Sequence, residues 1–144
     1  MTRGAVVTEL YRMAGSPSGV KPAAFPDVPA GTELARAVSW AAGEGIVSGL
    51  PDGSFAPEQS VTRAQFAVLA QRYVNAMGKQ IPEGGGVGTY RDWRQVPAWA
   101  EPALGWAVQT GLIQGRSGNL LAPNDGMNRA EGAVCFQRLQ FLSV

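Results

Sequence analysis

The sequence predicts a mostly α protein made of tandem helix–loop–helix repeats, the first of them truncated. Two long segments match along their length: "FPDVPAGTELARAVSWAAGEGIVSGLPDGSFAPEQSVTRAQFAVLAQR" and "YRDWRQVPAWAEPALGWAVQTGLIQGRSGNLLAPNDGMNRAEGAVCFQR". Trp40 and Trp106, Gly45 and Gly111, Gly49 and Gly115, Pro57 and Pro123, and Arg63 and Arg129 correspond at an offset of 66 residues. Phe25 and Tyr90 are 65 apart, which places one inserted residue between Asp92 and Trp106. Within each segment apolar residues recur at helical spacing, and turn signals rich in Gly and Pro separate them.

The elements follow in chain order. "MTRGAVVTELYRMAG" aligns only with the last part of the repeat, Arg3 falling on Arg63, and Gly15 ends it. This assigns 1–15 as the C-terminal helix of a partial first motif, 25–78 as a second motif and 90–142 as a third, together one compact domain. The first helix of the second motif carries Leu34, Val38 and Ala42 and stops at Gly43 or Gly45. Its counterpart runs from about Ala98 to Gln109. "GLPDGSFAPEQS" and "GRSGNLLAPNDG" are the proline-containing turns that follow. The second helix starts at Thr62 or Asn128, with Phe66, Ala67, Ala70, Tyr73, Val74 and Met77 on its apolar face. "GSPSGVKPA" and "GKQIPEGGGVGT" are joints. Helices this short are not stable alone and must pack on one another.

Composition excludes several function classes. A chain of 144 residues with 45% hydrophobic and 16% charged content can bury a core. A net charge of +1 leaves no electrostatic footprint for nucleic acid or an anionic membrane. No apolar run is long enough to span a bilayer. No signal peptide precedes Met1, so the expectation is an internal protein or a piece of a longer one. Cys135 is the only cysteine and there is no histidine, which removes the commonest general base and zinc ligand. No base–nucleophile pair, no GxSxG elbow and no repeated acid pair is placed for catalysis. The expectation is a non-enzyme without cofactor or metal; a small hydrolase is the weakest reading.

One recurrence demands an explanation. Arg3, Arg63 and Arg129 each stand in the first turn of a helix, where unpaired N–H groups already carry partial positive charge. Thr62 with Gln65, and Asn128 with Glu131, fit a capping box. A cap explains those four residues but not the arginine, which opposes the helix dipole at a cost of about 0.3–1 kcal/mol. Either Arg63 pairs with Glu58 or Asp52 at the surface, or a guanidinium beside free N–H groups forms a bidentate anion site. Trp40 and Trp106 read as core or as sugar-stacking platforms. Trp93 and Trp99 line a groove or pack. Gly49 and Gly115 serve a tight turn or the close approach of a ligand. Asp52 is a turn residue or a hydroxyl acceptor, and Asp27 and Asp92 organise the turn before the first helix. Phe25, Tyr90 and Phe55 read as structural, and Cys135, falling on Leu69, as a buried apolar residue.

At Phe25 to Ala67 the pattern F-x-D-V … A-V-x-W-A-x-x-x-G-I-V-x-G-x-P-D-G-x-F-x-P-x-x-x-V-T-R-A-Q-F-A closely resembles the S-layer homology (SLH) motif; Tyr90 to Ala133 resembles it with more drift, and the first 15 residues resemble its C-terminal helix. The resemblance implies three motifs forming a pseudo-threefold, mostly helical three-prong spindle around a central helical bundle. It also implies non-covalent anchoring at the bacterial cell surface through secondary cell-wall polysaccharide, often pyruvylated, or peptidoglycan, bound in grooves between motifs. The ligand-binding set carried over is Arg3, Arg63, Arg129, Thr62, Gln65, Glu131, Gly49, Gly115, Asp52, Trp40 and Trp106. In this reading Arg63 and Arg129 each clamp an acidic sugar substituent, and Arg63→Ala weakens polymer binding without unfolding the domain. The chain departs from the pattern at Asn128, at Gly132 in place of Phe66, at "RSGNLL" and at Glu33, which stands where the third motif has Trp99. The alternative reading is a structural assembly module whose incomplete bundle exposes apolar surface that self-association or another segment completes.

Overall fold

The computed structural model describes residues 1–82 and 84–142. It is mostly α: α1 (Arg3–Met13), α2 (Glu33–Gly43), α3 (Arg63–Ala76), α4 (Glu101–Gln109) and α5 (Arg129–Leu142), with two 3-10 turns, Trp93–Gln95 and Ala98–Ala100, ahead of α4. Among the described residues extended backbone pairs only in isolated bridges, such as Thr2 with Ser60 and Thr62 with Gly126.

Threonine starts three of the helices. Thr2, Thr32 and Thr62 each sit in extended backbone, and each Oγ1 accepts from the N–H three residues on, at 3.1 Å. That satisfies one of the orphan donors of the first turn and is worth about 1 kcal/mol per cap. At Thr62 the expected reciprocal box is complete, because Gln65 Oε1 accepts from the Thr62 N–H at 2.9 Å. Gly45 and Gly111 follow α2 and α4 with φ of +75° and +78°, a conformation that stops a helix and penalises any side chain.

The chain packs as two compact bodies, Met1–Ser60 and Val61–Val144. Neither body coincides with a sequence motif. The first joins α1, the last helix of the partial motif, to the front half of the second motif. The next joins α3, the last helix of the second motif, to all of the third.

In the first body α1 lays Val6, Val7, Leu10 and Tyr11 inward, and α2 answers with Ala37, Val38, Trp40 and Ala41. The rings of Tyr11 and Trp40 meet with centroids 5.8 Å apart. In the second body Phe66, Leu69, Tyr73 and Val74 of α3 are buried, as are Leu104 and Trp106 of α4. Gly132 replaces Phe66 in the repeat, but Phe136, one turn on, meets the Phe66 ring edge-on with centroids 5.5 Å apart. Burying side chains of this size contributes about 1.5–3 kcal/mol each, which carries helices that would melt alone.

A chain crossing over the middle of each front helix sets the side-chain size there. In the first body Ser39 lies under the crossing, and its Oγ accepts from Ala23 N–H at 3.0 Å. At the equivalent Gly105 the crossing is closer: a Cβ would lie 2.1 Å from Gly85 O, and one on Gly84 would lie 2.2 Å from Trp106 N. Backbone cannot yield as a flexible side chain can. Gly105→Ala should therefore lower stability by about 1–3 kcal/mol in urea unfolding. Gly43→Ala is the control: nothing lies within 4 Å of its Cβ position, and a gain of about 0.5 kcal/mol is expected.

Candidate functional site

The site grows from a loop that closes on itself. In the first body Leu50 N–H donates to Ser54 O at 2.7 Å and Gly53 N–H to Leu50 O at 2.9 Å. Asp52 Oδ1 accepts from the Ser54 N–H and hydroxyl, at 2.9 and 2.6 Å, so Asp52 is a turn residue. Asp27 grips the far end: Oδ1 accepts from Phe55 N–H at 3.0 Å and Oδ2 from Ala56 N–H at 2.7 Å. The second body repeats this grip with Asp92 on Leu121 and Ala122, both at 2.8 Å. These carboxylates thus hold a loop about 28 residues downstream, which corrects the expectation that they organise the turn ahead of the helix. The grip fixes a strained backbone, since Ala56 and Ala122 both have positive φ, +59° and +52°.

Gly49 and Gly115 also differ from both sequence readings. Neither has positive φ. A Cβ on Gly49 would lie 2.7 Å from the Phe25 ring, and one on Gly115 would lie 2.5 Å from the Tyr90 ring. The close approach is by an aromatic ring of the same motif.

Folding of the loop turns backbone carbonyls toward the start of the preceding helix, and the arginine sits on them. Arg3 Nε donates to Phe55 O at 3.0 Å and Nη2 to Ser48 O at 3.2 Å, with the guanidinium 4.7 Å above the Phe55 ring. Arg63 repeats the pattern atom for atom, Nε to Leu121 O at 3.0 Å and Nη2 to Gln114 O at 2.7 Å. The first-turn amides are taken too. Arg3 N–H donates to Gln59 O and Gly4 N–H to Pro57 O; Arg63 N–H donates to Asp125 O and Ala64 N–H to Pro123 O, all at 2.8–2.9 Å. The bare amides that would cradle an anion are therefore not bare in α1 and α3. Converging carbonyl dipoles offset the unfavourable helix dipole and account for a cation at this end.

Arg63 is only 4% exposed. Its Nη1 donates to Glu131 Oε2 at 2.8 Å, in place of the expected partners Glu58 or Asp52. Glu131 is more than a capping residue. Its N–H donates to Asn128 Oδ1, and Oε1 accepts from Asn128 Nδ2 and Arg116 Nη2, each at 2.8 Å. Arg116 Nη1 continues to Asp125 Oδ2 at 2.7 Å. Arg129, by contrast, is exposed, and its guanidinium has no hydrogen bond or ion pair among the described residues.

Trp40 and Trp106 are 4% and 2% exposed, so they lie in the core and present no face to a sugar. Trp93 and Trp99 are 44% and 59% exposed. Cys135 is buried with its thiol toward Leu112 O at 3.3 Å, and burial raises its pKa above the ordinary thiol value.

A cleft of about 450 Å³ opens beside this network in the second body. Arg63, Arg116, Arg138 and Glu131 supply its charges, Gly115 its edge, and Ile113, Val134 and Cys135 its apolar floor. Three guanidinium groups face one carboxylate there. Sequence reasoning missed Arg116 and Arg138. Arg116 falls on Leu50 of the second motif, so repetition gave no signal for it.

Backbone donors hold Asp27 below the ordinary carboxylate pKa: the Phe55 N–H leads, then that of Ala56, with burial opposing. Burial opposes ionisation most at Asp92, but the Leu121 and Ala122 N–H groups outweigh it and its pKa also falls. A depressed folded-state pKa stabilises the fold fully above the unfolded value, and that contribution disappears as pH falls through the folded value. Stability should therefore drop below about pH 4, and Asp27→Asn or Asp92→Asn should flatten that acid limb in a Tm–pH series. Arg63→Ala takes the partner from Glu131 Oε2 and from two loop carbonyls, so a loss of about 3 kcal/mol is expected in chemical denaturation, where the sequence reading expected an unaffected fold. Arg129→Ala should stay within about 0.5 kcal/mol.

The model of the S-layer homology domain family matches residues 24–67 and 89–133. An amylopullulanase of Thermoanaerobacterium thermosulfurigenes is 28% identical over 93% of this chain and 7% of its own length. A cellulosome-anchoring protein of Acetivibrio thermocellus is 29% identical over 79% of the chain and 25% of its own length. The S-layer protein EA1 of Bacillus anthracis is 25% identical over 82% of the chain and 13% of its own length. The chain thus spans a quarter or less of each of these relatives.

Proposed function

The chain belongs to the S-layer homology domain family, and we propose on that basis that it is a non-covalent anchor, holding whatever it is joined to at the bacterial cell surface by binding an acidic cell-wall polysaccharide. The observation that carries this reading is the cleft in the second body, where Arg63, Arg116 and Arg138 outnumber Glu131 and Asp125, the two carboxylates paired with them, over an apolar floor. Arg116 holds Asp125 and Glu131, and Arg138 Nη1 donates to Leu112 O at 3.3 Å. A carboxylate on a sugar, such as a pyruvate ketal, would meet the remaining N–H groups of these two side chains, and the sugar's apolar face would meet Ile113 and Val134.

The roles within the carried-over set divide accordingly. Arg3 and Arg63 shape the two loops, and Thr62 and Gln65 start α3. Glu131 orients Arg116 and Arg63, and Gly115 makes room for the Tyr90 ring at the cleft edge. Arg116 and Arg138 are the residues proposed to meet the ligand's charge. Trp40 and Trp106 act through the core alone. Peptidoglycan is the other wall polymer the family resemblance implies, and it enters the test as a competitor.

The reading is not catalytic. Names such as amylopullulanase and exoglucanase belong to relatives of which this chain covers 7% and 10%. A family region shared by those proteins, a cellulosome-anchoring protein and S-layer proteins fits a common attachment role better than a common reaction.

Sedimentation with purified cell walls tests the proposal, before and after removal of secondary polymers and of their pyruvate groups. Binding should fall with each removal. The double variant Arg116→Ala/Arg138→Ala should bind at least about tenfold more weakly while keeping its helical circular dichroism, since each charge-assisted bond contributes about 1.5–3 kcal/mol. Equal binding to stripped and intact walls would overturn it.

A further inference from the structure

The strap of chain that leads into each full motif crosses the front helix differently in the two bodies. In the second body it comes down at Gly84 and Gly85, six and five residues before Tyr90, so close that a Cβ on Gly105 would lie 2.1 Å from Gly85 O. In the first body it comes down at Ala23, two residues before Phe25, where its N–H donates to Ser39 Oγ at 3.0 Å. The other end of this strap is pinned on α1, because Tyr11 OH donates to Pro17 O at 2.9 Å. Between the two pins the chain stands off the helices, and Gly19 turns it with a φ of +74°. Pro17 and Pro22 have no N–H with which to draw it closer. A cavity of about 780 Å³ lies beneath.

Its walls are apolar. Val20, Pro22, Phe25, Val28 and Ala35 line it, and none of these side chains is buried. The polar side chains that the two helices contribute are engaged, Tyr11 OH on Pro17 O and Ser39 Oγ on the Ala23 N–H. Among the described residues that line the cavity Arg36 alone is charged. Its guanidinium is exposed and makes no hydrogen bond or ion pair among the described residues. Glu33, one turn earlier on α2, is held instead by Arg12 Nε and Nη2. Neither the serine nor the cation recurs in the second body, where Gly105 stands at the place of Ser39 and Pro102 at that of Arg36.

We propose that this cavity binds a small amphiphilic anion, a free acid with one short acyl or aryl body. The apolar body lies against Val20, Phe25 and Val28, and the acid head meets Arg36. The walls select this class over a sugar. Hydroxyls taken out of water without partners are costly, and these walls have few partners to give. The volume falls within the range of small-molecule sites, about 300–1,000 Å³, and the pins at both ends of the strap form the cavity before a ligand arrives. The site shares no residue with the cleft beside Glu131, so its failure leaves the anchoring proposal untouched.

Decanoate is the probe, titrated onto the full chain by calorimetry and followed by methyl NMR. One molecule per chain should bind, with the largest shifts at Val20, Val28 and Ala35. Decanol, the uncharged analogue, should bind about tenfold more weakly, and Arg36→Gln should weaken decanoate by the same factor without changing decanol. Val20→Trp fills the cavity from the strap and should abolish binding of both while the helical circular dichroism stays. Absence of saturable binding to the folded chain overturns the proposal, as do shifts confined to the exposed Val134 and Phe141. Equal affinity for decanoate and decanol overturns the anionic head. Sedimentation of the chain with phosphatidylglycerol vesicles, reversed by decanoate, overturns the free acid in favour of a membrane lipid's chain. Displacement of decanoate by pyruvylated wall polysaccharide overturns it too, because the cavity is then part of a glycan site.

Discussion

A guanidinium seated on backbone carbonyls is the contact from which the rest of the architecture follows. Arg3 and Arg63 each bring two side-chain nitrogens and two amides to four carbonyls of a loop some 45–60 residues away. The arrangement satisfies both parties. A helix start has donors with no partner inside the helix, and a tightly folded loop has acceptors with none inside the loop. The cation is tolerated at the positive end of the helix because the groups around it are carbonyl oxygens. Asp27 and Asp92 complete the scheme from the other side by fixing the loops in a conformation that costs Ala56 and Ala122 positive φ. The strain is local and the compensation is distributed over a dozen hydrogen bonds.

The cleft in the second body is a by-product of that contact before it is anything else. Arg63 is committed to the loop and to Glu131; Glu131 in turn reaches Arg116, which reaches Asp125. What remains open is the space between these groups and Arg138, with a charge balance favouring an anion. Arginines that seat a loop and arginines that only line the cleft are thus neighbours.

Much of the fold was legible because helices announce themselves through local signals. Period-3.6 apolar residues, Thr62 and Asn128 before the second helices, and Gly15, Gly45 and Gly111 as stops placed the helices to within a few residues. The destinations of the polar side chains were not legible. A backbone carbonyl is the same in every residue, so nothing in the sequence marks Ser48 or Leu121 as the partner of an arginine. Asp27 looked like a local turn residue because its real partners are amides 28 and 29 positions on. Gly49 and Gly115 did carry a usable clue, since Phe25 and Tyr90 recur with them and their rings fill the missing Cβ space. Arg116 carried none, having leucine at its repeat-equivalent position. Repetition finds what the motifs share and is silent on what one of them adds.

The half-motif offset between sequence and packing has a practical side. An eye guided by composition would divide this chain at its joints, around residues 16–24 and 79–88, and keep each motif whole. Such a division parts Arg3 and Arg63 from the loops that seat them and leaves all three fragments with open polar seams. Severing within the motif, near Ser60, respects the packing instead. Shuffling or grafting of these modules should therefore proceed by staggered halves, in the way shingles are laid, so that each junction is overlapped by the piece beside it.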